Sequence, residues 1–397
     1  MKIEYIRDIC TGCGACMATC PKHSISMQPD SCGYIYPEID HGTCVECGLC
    51  DKVCPELLPV AKRQPISVRA AVAVPAISES SSGGVATLVA AHVIEAGGAV
   101  YGCLQADKCK IVHRRSSTLS ELDAMKGSKY VQSDTGNTFA ECRADLQNGK
   151  EVVYVGTPCQ ISGLRKYLGK DYPNLCTVDL ICHGVPAQRF LSDEIDLMRQ
   201  RHSLPQEPQI RFRDKTSGKV KFGLYLYDGT TKIFSRDFPK DYYISGFLSG
   251  LFYRRNCFRC GYTDTNRTGD ITLGDFWGLG KESPSELSST HGVSLVMTNT
   301  PKGEETIKAI ARKLKMEDRP LSEAVAGNAQ LRHPFNRPVE YEAFQESLVA
   351  DGYEAACRRF LDKYISEHTR YMQIEEHPIL MLPYRIYLKI KAKLKKG

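Results

Sequence analysis

Two cysteine runs near the start of the chain constrain it more than anything else: Cys10-Thr11-Gly12-Cys13-Gly14-Ala15-Cys16-Met17-Ala18-Thr19-Cys20-Pro21 and Cys44-Val45-Glu46-Cys47-Gly48-Leu49-Cys50-Asp51-Lys52-Val53-Cys54-Pro55. Both follow C-x2-C-x2-C-x3-C-P, the ligand spacing of paired 4Fe-4S cubanes. Three thiolates two residues apart wrap one face of a cubane, and the fourth, set off by the longer gap and the proline, reaches the other cluster. The expected ligand sets are therefore Cys10, Cys13, Cys16 and Cys54 for one cluster, and Cys44, Cys47, Cys50 and Cys20 for the second. Gly12, Gly14 and Gly48 suit tight turns with amides pointing inward. The alternative is a pair of zinc knuckles, but zinc favours two separated pairs of ligands, usually with histidine at hand.

The chain has 397 residues, too many for one ordinary core, so a small cluster module plus larger domains is expected. Hydrophobic residues make up 42% and charged residues 25%, which describes a globular protein. Of 18 cysteines, eight are committed to clusters, and no apolar leader precedes the first of them. A reducing compartment follows, most simply the cytoplasm. No run of apolar residues is long enough for a membrane span. The net charge of +6 is all found in the tail: Arg385, Lys389, Lys391, Lys393, Lys395 and Lys396, with Ile386, Leu388, Ile390 and Leu394 between them. Two readings of this tail stand: peripheral contact with an anionic membrane or partner, and a solvated terminal helix. No feature supports nucleic-acid binding.

The expected domain plan is a two-cluster ferredoxin-like module over residues 1–58, a proline-punctuated linker over 59–79, a main domain over 80–300, and a helical C-terminal region with the basic tail over 301–397. The main domain alternates helices and strands. Ser80-Ser81-Ser82-Gly83-Gly84 leads into a helix from Val85 to Ala96, which Gly97-Gly98 stops before a strand from Ala99 to Leu104. A serine and glycine turn at a helix start offers free amides to a phosphate, or is an ordinary helix cap. Gly127-Ser128-Lys129-Tyr130-Val131-Gln132-Ser133 combines a cation, an aromatic ring and several polar groups in one loop. Strands from Glu151 to Gly156 and from Leu175 to Ile181 each run into a cysteine, Cys159 and Cys182, where a strand meets the next segment. Ligands collect at such strand ends in open α/β sheets. Further strands are expected at Gln209 to Asp214, Val220 to Tyr227 and Thr231 to Phe238.

Cys257 and Cys260 form one more pair, and Cys159 and Cys182 are the other cysteines at loop positions that suggest a site. Together they give four thiolates for a third 4Fe-4S cluster; a zinc site and a redox disulfide at Cys257/Cys260 are the alternatives. Cys32, Cys103, Cys109, Cys142, Cys176 and Cys357 lack such spacing and are expected to be structural.

The paired cysteine runs, Ser82-Gly83-Gly84, Ser128-Lys129-Tyr130-Val131-Gln132-Ser133, Gly156-Thr157-Pro158-Cys159-Gln160, Cys182-His183-Gly184, Cys257-x-x-Cys260 and Gly269-Asp270-Ile271-Thr272-Leu273-Gly274-Asp275-Phe276-Trp277 together resemble the beta subunit of coenzyme F-420 hydrogenases and dehydrogenases, over roughly residues 1 to 300. The fold class expected is α+β: the two-cluster ferredoxin module followed by an α/β flavin-binding domain with a mixed sheet. The resemblance implies FAD, a 4Fe-4S cluster beside it held by Cys159, Cys182, Cys257 and Cys260, and flavin contacts from Ser82, Gly83, Gly84, Lys129, Tyr130, Gln132, Ser133 and Thr157. It places His183 and Asp275 near the flavin or cluster as candidate catalytic residues; a capping or core histidine and a backbone-bonding aspartate are the plainer readings of those two. The C-terminal third, with Asn328-Ala329-Gln330-Leu331 and Asn336-Arg337-Pro338, resembles bacterial members associated with surface-polysaccharide gene clusters.

These features imply an oxidoreductase that joins one-electron transfer through clusters to two-electron chemistry at a flavin, which can do both. Its expected partners are ferredoxin or another redox protein and a small-molecule two-electron substrate, F-420 or another organic compound. A competing reading is an electron-transfer subunit of a larger complex without an organic substrate of its own. No G-x-G-x-x-G fingerprint follows a strand, which disfavours nicotinamide chemistry on a Rossmann domain.

Overall fold

The computed structural model describes residues 2–75, 80–202, 204–215, 220–287 and 292–375. The basic tail from Arg385 onward lies outside the described residues. The N-terminal module pairs β1 (Ile25–Pro29) with β2 (Ile35–Ile39) antiparallel. Two one-turn helices, Ala15–Thr19 and Leu49–Val53, pack on each other. Each follows a glycine in the left-handed region, Gly14 at φ 80° and Gly48 at φ 69°, a conformation a side chain resists. This is the internal repeat that the two cysteine runs predict.

The main domain is built on eight strands. β3 is Ser67–Ala73, β4 Ala99–Gln105, β5 Ile111–Ser116, β6 Val152–Gly156 and β7 Leu175–Leu180. A separate antiparallel sheet holds β8 (Gln209–Asp214), β9 (Lys221–Asp228) and β10 (Thr231–Asp237). The large sheet then closes with β11 (Ile271–Asp275), β12 (Ser294–Thr298) and β13 (Leu314–Asp318), in the order β13-β3-β12-β11-β7-β6-β4-β5. β4, β6, β7 and β11 run parallel, β12 is antiparallel to both β11 and β3, and so β3 points the same way as those four. The C-terminal ends of five strands thus open on one edge, where an α/β sheet gathers its ligands.

Two segments differ from the domain plan drawn on the sequence. Residues 59–79, read as a linker, contain β3, which sits between β13 and β12 inside the sheet. Small residues at Ala70, Ala71 and Ala73 let it be buried without a bulky apolar signature. The C-terminal region, read as helical, supplies β13 as the edge strand beside it.

The module is clamped onto the rest by aromatic and backbone contacts. Tyr34 is buried, and its hydroxyl donates to the carbonyls of Phe252 and Tyr253 at 3.1 and 3.0 Å. It joins a core built on Phe190, Phe252 and Phe344, where the Phe190 and Phe252 rings stack at 4.2 Å. Cys13 and Ala15 enter a second core with Phe139, Ile161 and Leu164. No helix among the described residues is long and apolar enough to cross a membrane.

Candidate cluster chain and flavin crevice

The eight N-terminal cysteines line two cavities in the grouping the spacing predicts. Cys10, Cys13, Cys16 and Cys54 share one with Thr11, Gly12 and Met27. Cys20, Cys44, Cys47 and Cys50 share the other with Val45 and Leu49. The fourth cysteine of each run has crossed to the partner cavity. Burial pushes the Cys13 thiol up to about 12, with negative charge at Cys10 and Cys54 adding to it, and holds Cys16 well above its ordinary value for the same reasons. Buried thiols that repel one another need a cationic core to ionise together, which is what an iron-sulfur cluster provides. Among the described residues, no three His, Cys, Asp or Glu side chains are drawn together tightly enough for a single metal ion, so the zinc alternatives find no preformed site.

A third set of four thiols gathers at the open edge of the sheet. Cys159 stands in the first turn of the helix Pro158–Leu168, Cys182 just past β7, and Cys257 and Cys260 around the turn Arg255–Arg259. Burial raises all four. Cys159 is raised further by Cys182, Cys260 and Cys13, and Cys182 and Cys257 reach about 12, each against its neighbours in the set. The influence of Cys13 on Cys159 shows that the third cage abuts the first. Gly163, one turn along the same helix, makes this possible, because a Cβ there would stand 2.8 Å from Cys13 Sγ. Tyr262 donates to Glu56 at 2.8 Å across the same seam. Cys257 and Cys260 are free thiols.

Behind Cys159 runs a buried relay. Thr157 Oγ1 lies 3.1 Å from Cys159 Sγ and 3.1 Å from Gln160 Oε1, and the Thr157 amide donates to that same oxygen at 3.0 Å. Gln160 Nε2 donates to the Ser133 carbonyl at 3.1 Å and to its hydroxyl at 3.2 Å, and Ser133 Oγ is 2.8 Å from His113 Nδ1. His113 Nε2 faces the Val155 carbonyl at 2.9 Å, so it must donate there, and Nδ1 accepts from Ser133. Burial pushes His113 down to about 4, which keeps it neutral.

On the far side of the third cage is a crevice lined by charged and aromatic groups. His183, next in sequence to Cys182, faces Asp275 and Arg213, and burial pushes its imidazole down. Arg213 Nη1 donates to Asp275 Oδ1 at 3.0 Å and to the Ser81 carbonyl at 2.9 Å, while Nε donates to the Tyr130 hydroxyl at 2.7 Å. Its Nη2 completes a bidentate pair with Asp275, the strong form of this contact. Lys215 donates to the Ser82 carbonyl at 3.2 Å. Phe222 lies 5.9 Å from the Tyr130 ring and 6.4 Å from Trp277, which is 45% exposed at the mouth.

The residues expected to touch a flavin divide. Ser82, Gly83, Gly84 and Tyr130 border this crevice with Asp275 and His183. Gly83 is a glycine because it crosses the sheet: a Cβ would come within 2.2 Å of the Ala71 carbonyl. Gly84, at φ 83°, starts the helix Val85–Glu95, whose first turn has no side-chain cap. The side chains of Lys129, Gln132, Ser133 and Thr157 are engaged in the frame instead. Lys129 donates to the carbonyls of Ala124, Met125 and Lys126 at the end of the helix Leu119–Met125. Gln132 Nε2 donates to Thr11 O at 3.0 Å, beside the first cage; Ser133 and Thr157 belong to the relay. Arg213 and Lys215 were not found from the sequence. They arrive with β8 from the small sheet, and no local pattern ties them to Asp275.

Residues 9–57 match the 4Fe-4S dicluster domain, and residues 149–324 match the family described as the C terminus of the coenzyme F420 hydrogenase/dehydrogenase beta subunit. The chain is an iron-sulfur oxidoreductase of the F420 hydrogenase/dehydrogenase beta-subunit type. An uncharacterized protein of Methanocaldococcus jannaschii is 26% identical to it over 308 residues, 67% of this chain and 79% of that one. A chain of the xenon-derivatised F420-reducing [NiFe] hydrogenase complex from Methanosarcina barkeri matches with a TM-score of 0.46 at 16% identity, over 75% of this chain and 92% of that chain. Electrons pass through the 4Fe-4S clusters of the dicluster domain of this beta-subunit-type chain.

Proposed function

We propose that this beta-subunit-type oxidoreductase passes electrons along three clusters to a flavin. The outer cluster is held by Cys20, Cys44, Cys47 and Cys50, the middle one by Cys10, Cys13, Cys16 and Cys54, and the inner one by Cys159, Cys182, Cys257 and Cys260. The observation that carries this reading is the position of the third cage, in contact with Cys13 on one side and, through the Cys182-His183 step, with the crevice on the other. FAD fits the crevice. The uncapped amides of the Gly84 helix start suit a pyrophosphate, Tyr130 offers an aromatic face, and the Arg213–Asp275 pair fixes polar groups beside it. When bound, the flavin accepts or delivers a hydride and exchanges single electrons with the clusters.

His183 has no hydrogen-bond partner among the described residues. Neutral and next to the Arg213–Asp275 pair, it is placed to hold or accept a proton as the flavin changes redox state. The two-electron substrate is a small planar organic compound of the F420 kind, entering past Trp277. Electrons are exchanged with a redox protein at the exposed outer cage. Anaerobically purified protein is expected to contain about twelve irons and one FAD, and Cys257→Ser to remove about four irons and leave the dicluster module intact. Unchanged iron in that variant would refute the third cluster.

A further inference from the structure

Two arginines are fully buried near the cages, and they differ in one respect. Arg267, 2% exposed, is paired with Asp179, itself wholly buried. Arg254 is 0% exposed, and among the described residues no carboxylate pairs with it. Its Nε donates to the Cys10 carbonyl at 2.7 Å and its Nη1 to Gln132 Oε1 at 3.3 Å. Its guanidinium lies 4.1 Å over the Tyr36 ring, and its Nη2 has no hydrogen-bond partner.

A full charge taken out of water is costly unless an opposite charge meets it. Neutral carbonyls and a ring face meet only part of that cost. What surrounds Arg254 is cysteine. Nη1 lies so close to Gly12 that a Cβ there would stand 3.1 Å away. The amide of Cys257 donates to the Arg254 carbonyl at 2.9 Å. A cluster held by four thiolates is anionic and gains a further negative charge on reduction, so a buried cation beside it favours the reduced form.

We propose that Arg254 is the buried counter-cation of the electron path. It raises the reduction potential of the middle cluster above that of the outer one, so that an electron leaving the outer cluster is drawn inward to the middle one. The inference rests on the grouping of ligands proposed above, but within the dicluster module it stands whether or not the third cage is filled.

The test is an EPR-monitored redox titration of the full chain, purified anaerobically, with iron counted on every sample. Cys47→Ser, which removes the outer cluster's signal, shows which potential belongs to which cluster. In Arg254→Met the middle cluster's potential is expected to fall by about 59 mV or more, a tenfold or greater loss in its one-electron reduction equilibrium, with the outer cluster unmoved. Gln132→Glu places a carboxylate opposite Nη1 without removing the arginine and is expected to shift the same cluster in the same direction. Unchanged potentials in iron-replete Arg254→Met overturn the proposal, as do equal shifts at both clusters. If Arg254→Met loses iron, Gln132→Glu decides alone: a negative shift confined to the middle cluster supports the counter-cation, and no shift overturns it. An iron count of about eight in the parent chain would fail the third cage and leave this comparison intact.

Discussion

The outer and inner ends of the cluster chain are built from similar cysteine spacings but in opposite surroundings. At the outer cage Cys47 is exposed, flanked by Val45 and Leu49 at 57% and 40% exposure. At the inner seam, Cys13, Gly163, Glu56, Tyr262 and Arg254 are interlocked with the main domain and sealed from water. The contrast assigns different work to each end. An exposed cluster exchanges electrons with other proteins, whereas a buried pair keeps electrons on one route and lets nearby charges set potentials at low dielectric. Changes at the seam are therefore expected to cost stability, and changes at the outer face to cost rate.

Acid is expected to separate the ends most sharply. His113, pushed down to about 4 by burial, has an unfolded value near 6.5. A basic group depressed in the folded state contributes stability that is present above pH 6.5 and lost as pH falls toward 4, since the unfolded chain binds the proton more readily. The loss amounts to about 3 kcal/mol, and it strikes the relay that ends at Cys159. Chemical denaturation between pH 7.5 and 5 measures it. His113→Gln is expected to flatten that slope, and a variant that keeps the parent's full slope would remove His113 as its source.

The seam also tolerates no added volume. Gly163→Val must displace Cys13 or shift the helix Pro158–Leu168, an overpacking cost of about 2 kcal/mol, with iron released from the dicluster module at a lower denaturant concentration. Gly48→Ala is the matching change at the outer cage. Nothing lies within 4 Å of its Cβ position, so only the left-handed backbone resists, at about 1 kcal/mol. Equal losses from the two substitutions would erase the distinction between the ends.

How much of this could be read in the sequence follows the same division. The outer and middle cages were legible down to the crossed fourth cysteine, because local spacing alone fixes them. Cys159 and Cys182 were legible because strand ends are where sheets present ligands. The strand β3 was not, since Ala70, Ala71 and Ala73 between prolines carry no strong periodic signal and its burial depends on partners more than two hundred residues away. Lys129, Gln132, Ser133 and Thr157 look like ligand groups in isolation. Their side chains are used by a helix end, the Thr11 loop and the relay, which only the tertiary fold brings to them. Arg213 was invisible for the converse reason: it is one arginine of a strand in a different sheet, and its partner Asp275 lies 62 positions on.

The smallest effect on the molecule itself is expected at the outer face, and it bears most directly on function. Val45→Asp and Leu49→Asp substitute exposed side chains, so stability should stay within about 0.5 kcal/mol and iron content should not change. Each places a desolvated charge in the path of a redox partner that must approach Cys47, a penalty of about 1.4 kcal/mol, or tenfold in the second-order rate of reduction by ferredoxin. Reduction by dithionite, which needs no docking patch, should keep its parent rate. If both reductants slow alike, the substitution has disturbed the cage; if neither slows, electrons are exchanged elsewhere and the contrast between the ends is structural only.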